Sequence, residues 1–206
     1  MKGISTAGAD AERLCDEHLA AIGEGTGKPH IRAVEKTSWL RFALNPFPEL
    51  FKEPGAENVR FKIEDAFLRM RFTDRQIGVA YHYLTRNDYD SPGGMLGLAT
   101  YGCRINTVPP DATASAQRDS ILTTAINAEW TDPKDEAAHL DWVRGFYRDI
   151  FAETGGVPAP GGRSDGAFIN HPDADLADPQ WNTSGTPWHT LYYKDNYPRL
   201  QQVKAR

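Results

Sequence analysis

Apolar residues recur at helical spacing in three stretches of the chain. Between Asp10 and Ile22, the residues Leu14, His18 and Ile22 stand four apart, behind an aspartate suited to an N-cap. Thr73-Asp74-Arg75-Gln76 has the composition of a capping box, and Ile77, Ala80, Tyr81 and Leu84 follow as one stripe. From about Pro133 to Glu153, Leu140, Val143, Tyr147 and Ile150 share a face, and Gly155-Gly156 supplies a stop. Strand patterns fall between these helices. Asn58 to Met70 puts Val59, Phe61 and Ile63 on one side. Met95 to Asn106 is bounded by Pro92-Gly93-Gly94 and Pro109-Pro110, and Ile121 to Trp130 ends at Thr131-Asp132-Pro133. Strands separated by helices without regular βαβ spacing predict an α+β fold, with a mostly antiparallel sheet and helices packed on one face. Residues 155–189 are rich in glycine and proline and lose all periodicity. A stretch of that kind in a compact domain is usually functional or laid against something else. An extended C-terminal segment is expected to end in a short helix, Asp195 to Ala205, with Leu200 and Val203 on one side.

Composition narrows the classes. With 40% hydrophobic and 11% aromatic residues, the 206-residue chain can bury a core and is not disordered as a whole. Twenty-three basic and 28 acidic residues give a net charge of −5 without blocks of like charge, so no footprint for nucleic acid or an anionic membrane is present. No apolar run reaches the ~18–20 residues of a membrane span. The start lacks the apolar stretch of a secretory signal, which points to a cytoplasmic protein. Two cysteines, Cys15 and Cys103, are too few for a disulfide framework or a zinc site.

Several motifs invite chemistry and fail on spacing. Gly23-Glu24-Gly25-Thr26-Gly27-Lys28 lacks the spacing of a phosphate loop and follows a helix, so it reads as a helix-terminating loop. Glu136-Ala137-Ala138-His139 is a single copy of a pattern that needs two for a metal, and reads as a solvated helix face. Asp173, Asp175 and Asp178 lack the turn glycine and the twelfth-position glutamate of a calcium loop. His18, His30 and His82 read as surface or packing residues. No metal site is expected.

Two segments carry more. One runs Tyr101-Gly102-Cys103-Arg104-Ile105-Asn106 to Thr113-Ala114. The other runs Phe168-Ile169-Asn170-His171-Pro172-Asp173-Ala174-Asp175-Leu176 and continues to Tyr192-Tyr193-Lys194-Asp195-Asn196-Tyr197-Pro198-Arg199-Leu200-Gln201-Gln202-Val203-Lys204. Together they resemble the FAD-linked oxidoreductases of the berberine-bridge-enzyme type, above all the bacterial aclacinomycin oxidoreductase-like branch. Its tail pattern is Tyr-x-Asn-Tyr-x-Asp-x-Asp-Leu, a loop, then Tyr-Tyr-x-x-Asn-Tyr-x-Arg-Leu-x-x-Val-Lys.

The resemblance implies residues 1–164 as a partial substrate-binding domain and residues 165–206 as the segment that would return to an FAD domain. The FAD domain itself lies outside this sequence, which also stops before the family's closing Asp-Pro segment. Met1 would then be internal to a longer enzyme, or the chain would meet a separate FAD-bearing chain or a second copy of itself. Cys15 and Cys103 fall in the wrong regions to link a flavin. The implied cofactor is FAD and the implied reaction, typical of specialised metabolism, is oxidation of an alcohol or amine carbon of a small molecule. The alternative is a non-catalytic ligand-binding module, or a subunit completing a site on another chain.

His171 stands where the branch carries its tyrosine base, and Phe168 replaces the tyrosine before it. An imidazole of pKa ~6.5 is poised to take a proton where a phenol of ~10 must be tuned to do so. His171 is thus a candidate base, a hydrogen-bonding partner of flavin or substrate, or a plain loop residue. Tyr101 resembles the tyrosine that faces substrate from the sheet and reads equally as a half-buried strand aromatic. Asn170, Tyr193 and Asn196 match family positions near the flavin or the return segment, and as residue types they also suit caps and turns.

Overall fold

The computed structural model describes residues 8–24, 37–44, 58–91 and 93–206. Gly25 to Lys28, His30 and Pro92 lie outside the described residues. The chain divides into two compact units, residues 1–54 and 55–206.

In the first unit, a short turn of 3-10 helix leads into α1 (Ala11–Gly23), and α2 spans Trp39–Leu44. The helix expected behind Asp10 is present, but the Asp10 carboxylate makes no cap hydrogen bond and instead lies 3.5 Å from Arg13. Arg13 also reaches Glu17 one turn on, at 2.8 Å. His18 is exposed, as read. α2 has no counterpart in the periodicity.

The second unit is built on β1 (Arg60–Leu68), α3 (Asp74–Thr85), β2 (Met95–Thr100), β3 (Leu122–Trp130), α4 (Glu136–Ile150), α5 (Trp188–Tyr193) and α6 (Tyr197–Lys204). The sheet order is β1-β3-β2 and both pairings are antiparallel. This is the α+β arrangement expected. Register puts Ala66 opposite Thr124, Glu64 opposite Ile126 and Leu96 opposite the same Ile126, so the even-numbered strand residues share one face. That face meets the helices. Ala66, Leu68, Ile126 and Ala128 pack with Val143, Phe146, Tyr147 and Ile150 of α4 in one buried cluster. Each fully buried side chain of Leu, Ile, Val or Phe size contributes ~1.5–3 kcal/mol.

α4 buries the predicted Val143, Tyr147 and Ile150 together with Trp142, Phe146 and His139. His139 corrects the solvated-face reading. Its Nδ1 lies 2.7 Å from the Tyr89 hydroxyl and its ring stacks on Trp130 at 5.0 Å. Ala137 and Ala138 are exposed, and Glu136 is paired with Arg60. Gly155 (φ 78°) takes the left-handed turn that ends the helical stretch.

α3 starts as its capping box requires. Gln76 N–H donates to Thr73 Oγ1 (3.2 Å), and Thr73 N–H donates to Gln76 Oε1 (3.0 Å). Thr73→Ala is expected to cost about 1 kcal/mol of unfolding free energy, read from the midpoint of urea denaturation. The apolar stripe, however, faces outward at three of its four positions. Ala80 is buried, whereas Ile77, Tyr81 and Leu84 are exposed, and Gln76, Ala80 and Tyr83 face the core. The polar tips of two residues set this rotation: Gln76 Nε2 donates to Ile150 O (3.2 Å), and Tyr83 donates to Asp149 Oδ2 (2.8 Å) while stacking on Phe146.

β2 is shorter than its pattern. Gly102 (φ 105°) and Cys103 (φ 54°) turn the chain into a 3-10 helix, Cys103–Thr107, which Asn106 Nδ2 ties to Ser120 O at 2.9 Å. A Cβ at Gly102 would lie 2.7 Å from Ser120 O, so glycine is required there.

Within the glycine- and proline-rich stretch, residues 163–166 lie along the outer edge of β1. Arg69 N–H donates to Arg163 O, Asp165 N–H to Phe67 O and Phe67 N–H to Gly166 O, each at 2.8 Å. Asp165 is fully buried there, bound by Arg69 Nη2 at 2.5 Å, Ser120 Oγ at 2.9 Å and the Lys194 ammonium. α6 begins at Tyr197, after a 3-10 turn over the residues expected to start it, and leaves Val203 exposed. Among the described residues no helix is long and apolar enough to cross a membrane.

Candidate functional site

The odd-numbered strand residues form the sheet face turned away from α4. Across the three strands they run in rows: Met95, Asn127 and Ile63; Gly97, Ala125 and Asp65; Ala99, Thr123 and Phe67. Phe61, Met95 and Ile121 are exposed on it. Gly97, Ala99 and Ala125 carry little or no side chain, so the middle of this face is a shallow floor. A Cβ built on Gly97 would stand in that space, its nearest neighbour being Ala125 O at 3.7 Å.

One end of the floor holds a chemical group. The Asp65 carboxylate rises from β1 and is only 6% exposed. Its Oδ1 accepts from the backbone N–H of Phe168 at 2.6 Å, and its Oδ2 lies 2.6 Å from His171 Nδ1. The His171 side chain is 37% exposed, and among the described residues no hydrogen bond engages its Nε2. Burial pushes the Asp65 carboxyl up to about 6, against the pull of the Phe168 N–H and His171, with Asp173 adding repulsion. Tyr147 of α4 donates its hydroxyl to the Asp65 backbone oxygen at 2.7 Å, pinning the strand from the opposite face.

An aromatic chain joins this pair to Tyr101. Phe168 meets the His171 ring edge-on at 5.5 Å and Phe67 at 5.7 Å, and Phe67 meets Tyr101 at 4.9 Å. The Tyr101 hydroxyl donates to Gln117 O at 3.2 Å. The fold thus gathers His171 and Tyr101 at one end of the open face. Asn170 is exposed beside His171. Tyr193 and Asn196 make their contacts elsewhere. Tyr193 stacks near Tyr197, and Asn196 Nδ2 donates to Pro110 O (2.7 Å) and Thr113 O (3.0 Å), tying the C-terminal helices to that loop. Asn196 occupies the N-cap position of α6 without a side-chain cap bond.

On the other face of β1 the same loop closes a charged cluster. Lys62 Nζ lies 2.5 Å from Asp173, 2.8 Å from Asp175 and 3.3 Å from Glu64, and Arg144 holds Asp175 at 2.6 Å. Glu64, Asp173 and Asp175 bring oxygens within 4.8 Å of one another, and the Lys62 ammonium supplies the positive charge among them. Asp178 caps Gln180 N–H on the exterior. Of the three aspartates that lack a calcium-loop pattern, Asp173 and Asp175 thus join an ion cluster and Asp178 stays outside it. Residues 165–175 straddle the strand edge, with His171 to one side of β1 and Asp173 and Asp175 to the other.

Residues 167–206 match the berberine and berberine-like family. Over 196 residues the chain is 46% identical to aclacinomycin-N/aclacinomycin-A oxidase of Streptomyces galilaeus, covering 95% of this chain and 35% of that protein. It is 30% identical to hexose oxidase of Chondrus crispus, covering 95% of this chain and 40% of that one. A flavoenzyme of shunt product recycling in caerulomycin biosynthesis superposes with a TM-score of 0.84 at 43% identity, over 98% of this chain and 40% of its own. The chain carries the berberine and berberine-like region at residues 167–206, and along nearly its whole length it is similar to FAD-linked oxidoreductases of that type. It spans about two fifths or less of the length of these relatives.

FAD is the cofactor this family implies. The residues present fit its planar redox end: a flat floor of Gly97, Ala99 and Ala125, open at Met95 and Phe61, with His171 and Tyr101 at the rim. The sequence singled out His171 and Tyr101 as candidates but not Asp65. Glu64-Asp65 reads in a strand pattern as a polar interruption, and only the register of β1 reveals that its two carboxylates serve opposite faces.

Proposed function

We propose that this chain is the substrate-side portion of an FAD-linked oxidase that oxidises an alcohol or amine carbon of a small specialised metabolite. In this reading residues 1–164 belong to the substrate-binding domain and residues 165–206 lead back toward an FAD domain. The observation that carries it is the convergence of His171 and Tyr101 on one open, small-residue sheet face. The names of the relatives, a hexose oxidase among them, favour an alcohol.

His171 acts as the base. Its Nε2 takes the proton from the substrate O–H or N–H as the adjacent carbon loses a hydride, so the imidazole becomes an imidazolium and the substrate a carbonyl or imine. Bound FAD supplies the two-electron acceptor for that hydride. Tyr101, its hydroxyl held by Gln117 O, presents a fixed ring that bounds the substrate position. Phe67 and Phe168 exclude water from the buried side of the His171–Asp65 pair. Asn170 is the cofactor-side residue best placed beside His171; Asn196 and Tyr193 serve by holding the return segment in place.

The test is single-turnover flavin bleaching without oxygen, in the flavin-loaded enzyme containing this chain. His171→Ala should slow bleaching by ~10²–10⁴-fold, the usual worth of a positioned base, with substrate affinity retained. An unchanged rate would remove His171 from the chemistry, and substrate binding without any bleaching in the unmutated enzyme would leave a binding module.

A further inference from the structure

We propose that Asp65 is the positioning residue of this site: through Nδ1 it fixes both the orientation and the tautomer of the His171 imidazole, leaving Nε2 bare toward the open face. The proposal rests on His171 being the base. It adds the group that makes the imidazole competent.

Its footing is geometric. A carboxylate between Ile63 and Phe67 on an apolar strand face is costly to bury. Its two oxygens serve only one short segment: Phe168 N–H on Oδ1 and His171 Nδ1 on Oδ2, both at 2.6 Å. A backbone N–H can only donate, so Oδ1 is an acceptor whatever happens at Oδ2. With Asp65 ionised, Oδ2 also accepts, and the imidazole proton must then sit on Nδ1. Nε2 is left with a lone pair. The position cannot drift, because Tyr147 holds the Asp65 carbonyl from α4 and Phe168 packs against the imidazole edge.

The charged neighbours separate this role from a structural one. Asp65 shares its face with His171; Asp173 repels it, and Lys62 and Glu64 lie on the far side of β1. Its carboxyl is raised from the ordinary 3.8 to about 6, so its contribution to stability is full below ~4 and is lost as pH rises through 6. At neutral pH the ionised carboxylate weighs against the fold. Asparagine removes that burden, since its oxygen keeps the Phe168 N–H and its NH2 is then forced toward His171 Nδ1. The same exchange inverts the tautomer, placing the proton on Nε2, where it blocks proton acceptance. In serine proteases that inversion costs ~10⁴-fold in kcat.

Three readouts decide the matter. In two-bond 1H–15N spectra of the full chain, the unmutated His171 should carry its proton on Nδ1 and Asp65→Asn should move it to Nε2. Asp65→Asn should withstand denaturant at least as well as the unmutated chain at about pH 8, with any advantage fading toward about pH 4. In the flavin-loaded enzyme, Asp65→Asn should lose ~10²–10⁴-fold in kcat with little change in KM, and more than Asp65→Ala, which leaves the ring free to take either tautomer. An unmoved tautomer in Asp65→Asn, or Asp65→Ala slower than Asp65→Asn, overturns the proposal. If His171→Ala bleaches flavin at the normal rate, the base reading falls instead, and the spectra still decide whether Asp65 sets the imidazole.

Discussion

Lys62→Met should lower the free energy of unfolding by about 3–5 kcal/mol, measured by urea denaturation, because it removes the cation from a buried ion cluster. Methionine keeps most of the apolar stem, so the loss is electrostatic. The Lys62 side chain is 14% exposed and touches Glu64, Asp173 and Asp175. Without it, three carboxylates face one another with Arg144 bound only to Asp175. Burial already pushes the Glu64 carboxyl well above the usual range, so the variant should recover part of the loss by protonating it. The deficit is therefore smaller in mildly acidic buffer than in alkaline buffer. A change below about 1 kcal/mol would mean that water screens the cluster as it screens exposed pairs.

Gly166→Ala should be as damaging, at about 4 kcal/mol or outright failure to fold, followed by the same denaturation and by near-ultraviolet circular dichroism. Gly166 has φ +98°, and a Cβ there would lie 2.1 Å from Leu191 O, a backbone atom that cannot swing aside. Leu191 O is also the acceptor for Ala167 N–H, and Gly166 O accepts from Phe67. The substitution thus parts the loop from both β1 and α5. Gly161→Ala is the control: φ is +135° but no atom lies within 4 Å, so only the backbone penalty of about 1–2 kcal/mol remains. Equal losses at the two positions would show that strain, and not the close approach, sets the cost.

What could be read from the chain was local. The Thr73–Gln76 cap, the run of α4 and the cores of all three strands are written in short-range spacing, and the structure places them within a few residues. The tail motif singled out His171 as a candidate. What could not be read depends on contacts between distant residues. The rotation of α3 is set by Gln76 and Tyr83 reaching Ile150 O and Asp149, more than sixty residues away. His139 is buried because Trp130 and Tyr89 receive it, and neither lies on its helix. Asp65 gains its meaning from a loop a hundred residues downstream. α5 escaped notice because six residues beginning Trp188-His189 behind a proline give no full period to detect.

The stretch from Arg163 to Asp175 carries two duties at once. It seats the imidazole, and it occupies the outer hydrogen-bonding groups of β1 between Phe67 and Arg69. Any fluctuation that lifts it unseats His171 and bares the Phe67 and Arg69 amides and the Phe67 carbonyl, an edge on which a neighbouring molecule can add a strand of its own. Loss of the His171–Asp65 contact and the onset of fibre-like association should therefore share one activation event, and a small ligand that seals the His171 end of the sheet should delay both together.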